Sequence, residues 1–75
     1  MIRVYEDVLK AAAAEAAEAA TDWFGRGKEP PACMAYTFIL TIWDGAGEPG
    51  LAYLPVTEMP PEFEAAYKAA LEGAC

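Results

Sequence analysis

The run Met34-Ala35-Tyr36-Thr37-Phe38-Ile39-Leu40-Thr41-Ile42-Trp43 contains ten residues without a charge, a glycine or a proline. Large apolar side chains recur at every second position of this run, at Met34, Tyr36, Phe38, Leu40 and Ile42. Strict alternation in a segment rich in aromatic and β-branched residues is typical of a strand. The sequence therefore predicts a β-strand over 34–43 that turns this set of side chains toward the core.

The segment that follows predicts a β-hairpin. Residues 44–50 contain the glycines and the aspartate of a hairpin connection, and residues 51–56 have the composition of a returning strand. Because Pro55 has no backbone donor, this second strand is expected at an edge of the sheet. The outer face of the hairpin would carry Ile39 and Trp43, together with Leu54 and Val56 or with Leu51 and Tyr53 according to the register. We expect this face, with Ile39, Trp43 and Leu54, to bind a partner or to form a homodimer. The alternative is partial cover by residues 1–5 and by the linker that contains Pro30-Pro31.

Two helices are expected to flank the hairpin. Eight of the twenty residues in 5–24 are alanine, the best helix former, and Gly25 is suited to the turn that ends a helix. A second helix is expected from the pair Pro60-Pro61 to Gly73, because proline is tolerated in a first helical turn. The prediction is a single α+β domain over 1–75, in the order α-β-β-α, with both helices on one face of an antiparallel hairpin. Residues 2–5 are an alternative N-terminal strand, since Ile2, Val4 and Tyr5 favour strands.

Composition and charge disfavour most kinds of chemistry. The 75 residues include 12 acidic and 5 basic side chains, for a net charge of −7, and contain no Ser, His, Asn or Gln. The commonest general base and the commonest hydroxyl nucleophile are therefore missing. We expect a protein that is not an enzyme and that needs no metal or other cofactor. Cys33 and Cys75 are expected to be free thiols, because they form neither a CxxC motif nor a disulfide framework.

The charge and hydrophobic pattern of the chain predict its cellular location and the classes of partner that it does not bind. A strongly acidic chain is not expected to bind nucleic acid directly, because that affinity depends on Lys and Arg at the phosphates. No apolar run reaches the roughly 18 residues of a spanning helix, so no membrane partner is expected. Acids near the N-terminus, where a secretory signal would be basic, favour a cytoplasmic location.

The strongest candidate site is an acidic stripe on the first predicted helix. At helical spacing its members fall on one face: Asp7, Glu15, Glu18 and Asp22. This face contains no interleaved Lys or Arg. It would suit a basic surface of a partner protein, in the way that nucleic-acid phosphates do. The alternative is an ordinary solvated helix face.

In size, acidity and alanine content the chain resembles the small inhibitors encoded by phages and mobile elements, such as anti-CRISPR proteins. The resemblance is one of type and covers no motif. It implies a protein that blocks the basic nucleic-acid groove of a bacterial nuclease complex, inside the cytoplasm of a bacterial host. The second hypothesis is a small structural or accessory subunit that homodimerises, or docks into a larger assembly, through the open hairpin face.

Overall fold

The computed structural model describes residues 4–73, which form three α-helices and one short 3-10 helix. Helix α1 spans Val4–Phe24, helix α2 spans Ala32–Ala46, and helix α3 spans Pro61–Gly73. The 3-10 helix, Pro49–Tyr53, lies between α2 and α3. No strand occurs within 4–73. The predicted α+β fold with a β-hairpin is therefore wrong, and the regular secondary structure of the described residues is entirely helical.

The predicted strand over 34–43 is the body of helix α2. Its buried residues follow helical spacing and are Ala32, Ala35, Tyr36, Ile39 and Trp43. A continuous apolar run is compatible with the two-residue period of a strand and with the 3.6-residue period of a helix. The alternation of large side chains favoured the strand, so the helical period was not recognised. Among the residues that alternation assigned to the core, Met34 and Ile42 are exposed. On the buried face, Ala32 and Ala35 are small, so they let α2 approach the neighbouring helices closely.

Gly47 ends α2, and this explains why the predicted hairpin connection is absent. Its backbone has φ +67°, and the two hydrogen bonds of a Schellman motif close the helix: Gly47 N donates to Asp44 O, and Glu48 N donates to Trp43 O. Pro49 then starts the 3-10 helix, and the Glu48 side chain accepts a hydrogen bond from Gly50 N at 3.4 Å. The predicted edge strand over 51–56 is therefore the end of this 3-10 helix and the irregular segment after it.

The two predicted flanking helices are confirmed, although the buried face of α1 only partly matches its sequence pattern. Helical spacing predicts a buried stripe from Tyr5 to Trp23; the middle of this stripe is buried, its two ends are exposed, and Ala13 and Ala17 are buried in addition. Because α1 packs against both α2 and α3, its buried face is wider than one stripe. The alternative strand over 2–5 is not observed where the chain is described. Val4 and Tyr5 belong to α1, while residues 2 and 3 lie outside the described residues.

The core joins an alanine surface on α1 to large side chains on the other helices. The buried alanines of α1 are Ala12, Ala13, Ala16, Ala17 and Ala20. Against them lie the aromatic rings of α2 and α3. Tyr36 and Phe63 pack edge to face with ring centroids 4.7 Å apart, and Phe63 stacks on Tyr67 at 6.1 Å. Pairs in these geometries add to the hydrophobic free energy of burial.

Two tyrosine hydroxyls hold the connecting segments against this core. Tyr67 donates a hydrogen bond to Pro30 O at 2.9 Å, and Tyr36 donates one to Pro55 O. The first contact fixes the segment between α1 and α2, and the second fixes the segment between the 3-10 helix and α3. Burial is the main cause that raises the pKa of both tyrosines above 10, and the charges of Tyr5 and Glu29 add to the rise at Tyr36 and Tyr67 respectively.

We expect the protein to lose stability in strong alkali because of these two groups. A tyrosine whose pKa is higher in the folded state stabilises the fold fully below its unfolded pKa of about 10, and this contribution is lost as the pH rises further. Tyr67→Phe should lower the free energy of unfolding by about 1 kcal/mol at neutral pH and should flatten the decline above pH 10. Urea unfolding at pH 8 and at pH 11 measures both effects. Tyr53→Phe is the control, because Tyr53 is exposed; an equally steep alkaline decline in the Tyr67 variant would contradict the expectation.

A second expectation concerns the close approach of the 3-10 helix to α2. A Cβ atom at Gly50 would lie 2.8 Å from Trp43 Cζ3 and 3.4 Å from Val8 Cγ1. Gly50→Ala should therefore destabilise the fold by about 1–3 kcal/mol, as overpacking does. Gly45 lies inside α2 with nothing within 4 Å of its Cβ position, so Gly45→Ala should stabilise the protein by about 0.5–1 kcal/mol. Thermal unfolding of the two variants should show melting temperatures that move in opposite directions.

Candidate functional site

The structure places all four residues of the acidic stripe on the exposed side of α1. Asp7, Glu15, Glu18 and Asp22 each have exposed side chains. Glu15, Glu18 and Asp22 lie within two turns of one another, whereas Asp7 precedes Glu15 by about 12 Å along the helix axis. The helix therefore brings three of the four carboxylates together and leaves Asp7 apart.

Glu15 has a structural role within this stripe. Its Oε2 atom accepts a hydrogen bond from the indole Nε1 of Trp43, which is only 5% exposed. A buried indole N–H needs a partner, and this carboxylate at the edge of the core supplies it. Glu15 thus fixes the position of α2 against α1. Within the described residues, the other three carboxylates of the stripe, Asp7, Glu18 and Asp22, make no hydrogen bond or ion pair, and of these Glu18 and Asp22 lie close together.

The three residues predicted to form a binding face on the hairpin lie in the hydrophobic core instead. Ile39 is 1% exposed, and Trp43 and Leu54 are each 5% exposed. No hairpin exists within residues 4–73 to hold them on an open face. They are buried because helical spacing turns Ile39 and Trp43 toward α1, while Leu54 closes the core beneath the 3-10 helix.

A shallow depression lies beside the acidic stripe, between α1 and α2. Its volume is about 240 Å³, and its lining includes Glu15, Glu18 and Asp22 together with Trp23 and Ile42. Trp23 is 76% exposed, the highest value among the large apolar side chains of the described residues. We call this surface the acid–aromatic depression. It joins negative charge to an aromatic ring, a combination that suits a cationic partner with an apolar portion.

Sequence reasoning missed Trp23 and Ile42 as surface residues. Helical spacing on α1 places Trp23 at the end of the predicted buried stripe, and alternation in the predicted strand places Ile42 in the core. A helical period for residues 32–46 would have placed Ile42 outside the buried set. The exposure of Trp23 has no comparable signal in the sequence, because it depends on where α2 crosses the end of α1.

On the other side of Trp23 lies a larger and more apolar groove of about 500 Å³. Its lining residues come from the end of α1, the connecting loop and the outer face of α2: Phe24, Pro30, Cys33, Met34, Thr37, Phe38 and Thr41. Trp23 packs edge to face against Phe38, with ring centroids 5.9 Å apart, and this pair separates the two surfaces. We call this second surface the outer groove.

Within the described residues, no group of three or more Cys, Asp or Glu side chains is arranged to hold a metal ion. Cys33 is a free, exposed thiol, and Cys75 lies outside the described residues. The search for helices of residues 4–73 that are long and apolar enough to cross a bilayer finds none.

Comparison of the chain with protein-family models, with curated proteins and with solved structures finds no match. The resemblance to small phage-encoded inhibitors therefore stays a prediction.

The hydrogen bond between Glu15 and Trp43 predicts that Glu15 stabilises the fold, whereas Glu18 on the same stripe does not. Glu15→Ala should leave the buried indole N–H without a partner and lower the free energy of unfolding by about 1–3 kcal/mol. Glu18→Ala is the matched control on the same face, and we expect a change within about 0.5 kcal/mol. Urea unfolding measures both variants. Equal stability of the two would show that the indole finds water or another acceptor.

Proposed function

We propose that this protein is a non-enzymatic inhibitor that binds a basic, nucleic-acid-binding surface of another protein and blocks it. The observation that carries the proposal is the acid–aromatic depression, where Glu18 and Asp22 adjoin the exposed ring of Trp23. A solvated helix face needs charge for solubility, but it gains nothing from a large exposed indole beside that charge. A binding surface uses both.

The chemistry of the depression indicates the kind of partner. Carboxylates beside an indole suit Arg or Lys, whose charged ends pair with the carboxylates while the cation or the aliphatic stem lies on the ring. Such side chains are concentrated where proteins contact nucleic-acid phosphates. The proposed partner is therefore a nucleic-acid-binding protein, such as a bacterial nuclease complex, and the proposed location is the cytoplasm where such complexes work.

The net charge of −7 supports the same function through the rate of association. Exposed charges of one sign steer a protein toward a surface of the opposite sign, and salt screens them beyond about 8 Å at physiological ionic strength. An inhibitor of this kind competes with nucleic acid by fast encounter. Its affinity should fall as salt rises.

The test compares two double variants with the same net charge. Glu18→Lys/Asp22→Lys reverses two charges on the acid–aromatic depression, while Glu62→Lys/Glu72→Lys reverses two exposed charges on α3. Both change the net charge from −7 to −3. The parent protein is used to recover binding proteins from a bacterial lysate at low salt. Each recovered nucleic-acid-binding protein is then assayed for displacement of labelled DNA or RNA.

We expect the parent and the α3 variant to displace the nucleic acid and the α1 variant to fail, with a loss of affinity of at least tenfold. All three proteins should have similar melting temperatures, because none of these four carboxylates is buried. Equal displacement by both variants would show that only net charge matters and would contradict a specific site. Recovery of no nucleic-acid-binding protein would contradict the proposed partner class.

A further inference from the structure

The outer groove is built from two parallel rows of side chains on one helix. Cys33, Thr37 and Thr41 form one row at i, i+4, i+8 spacing, and Met34 and Phe38 form the second row at i, i+4. Rows of this spacing are the ridges that pack into the grooves of another helix. The shape of the surface thus favours a helical occupant.

The two threonine hydroxyls in this groove already donate hydrogen bonds to backbone carbonyls of α2. Thr37 Oγ1 donates to Cys33 O at 3.2 Å, and Thr41 Oγ1 donates to Thr37 O at 3.0 Å. A partner helix can therefore displace water from the groove without leaving these hydroxyl donors unpaired. Met34, which is 56% exposed, supplies an adaptable apolar side chain at one end.

The two ends of the outer groove differ in charge. Pro30 lines the end near the start of α2, and the loop that leads to it carries Arg26, the exposed Lys28 and Glu29, whose carboxylate accepts a hydrogen bond from Gly27 N at 2.7 Å; this loop has a net positive charge. Asp44 is exposed in the last turn of α2, at the other end. These charges have the same signs as the ends of the α2 dipole, which is positive at the start of the helix and negative at its end, so the dipole adds to the difference. A second α2 laid antiparallel across the groove would bring the basic end of each copy to the acidic end of the other.

We propose that the outer groove binds the outer groove of a second copy of this chain, with the two α2 helices antiparallel about a two-fold axis near Thr37 and Phe38. The axis lies midway between Met34 and Thr41, so each copy places the same ridge in the groove of its partner, as a two-fold interface requires. Lys28 of one copy then lies near Asp44 of the other. A partner with a wholly basic surface would instead meet Lys28 at one end and be repelled there.

The exposed apolar area indicates a weak dimer. Met34 is 56% exposed, Phe24 is 46% exposed and Phe38 is half-buried, so this face offers less apolar surface than the roughly 800 Å² that each partner buries in a standard interface. We therefore expect a dissociation constant of about 10–100 μM for the dimer. This inference does not depend on the proposed function, which uses the other side of Trp23.

Sedimentation velocity across a concentration series tests the dimer with purified protein alone. Met34→Glu should weaken self-association by at least tenfold, while the control Met34→Leu should retain it. Lys28→Glu and Asp44→Lys should each weaken association by about tenfold, since every contact occurs twice across the two-fold axis. The double variant Lys28→Glu/Asp44→Lys should recover the affinity of the parent, because the pair is restored with its charges exchanged.

Each outcome decides the proposal. Loss in both single charge variants with recovery in the double variant supports the antiparallel dimer. A parent that stays monomeric at concentrations well above about 100 μM overturns it. Self-association that persists in Met34→Glu, or that the charge variants leave unchanged, also overturns it, because another surface must then be responsible. Circular dichroism of every variant confirms that the helices are intact.

Discussion

The close approach of three helices depends on the alanine surface of α1. Ala12, Ala16 and Ala20 are completely buried, and α1 makes contacts with both other helices along its length. A side chain with one methyl group loses no rotamer entropy on burial and keeps helix axes close together. The cost is that α1 itself contributes little apolar volume. Large residues on the two other helices must therefore fill the core, and any larger side chain at these alanines would push the helices apart.

The aromatic residues meet this requirement and also hold the connecting segments in place. Phe63 lies between Tyr36 and Tyr67, and the two tyrosine hydroxyls reach backbone carbonyls in the segments before α2 and before α3. Trp43 plays a similar part, since its ring packs under Gly50 while its indole N–H bonds Glu15. In a chain without Ser, Asn or Gln, aromatic side chains supply the polar links that amides and small hydroxyls supply elsewhere.

The placement of alanine on α1 and of large side chains on α2 and α3 also determines which aromatic residues remain on the surface. The aromatic residues at the end of α1 have no helix above them, so Trp23 and Phe24 stay exposed beside Met34 and Phe38 of α2. One side of Trp23 is acidic and the other is apolar. A small domain whose first helix contributes mainly alanine to the core thus has two distinct surfaces close to each other; we propose a cationic partner for one and a second copy of the chain for the other.

The sequence alone determined helices α1 and α3 and the exposure of the acidic stripe, because alanine content, proline position and charge act locally. It did not determine α2. The run 34–43 is compatible with the period of a strand and with that of a helix. The signal that favours a helix is the pair Pro30-Pro31 before the run together with Gly47 after it, because prolines at the start of a segment and a glycine at its end also mark α3 in this chain. The burial of Ile39 and Trp43, the exposure of Trp23 and the bond between Trp43 and Glu15 were decided only by the tertiary structure. Each depends on how two helices cross, and that geometry is set by contacts between residues far apart in the chain.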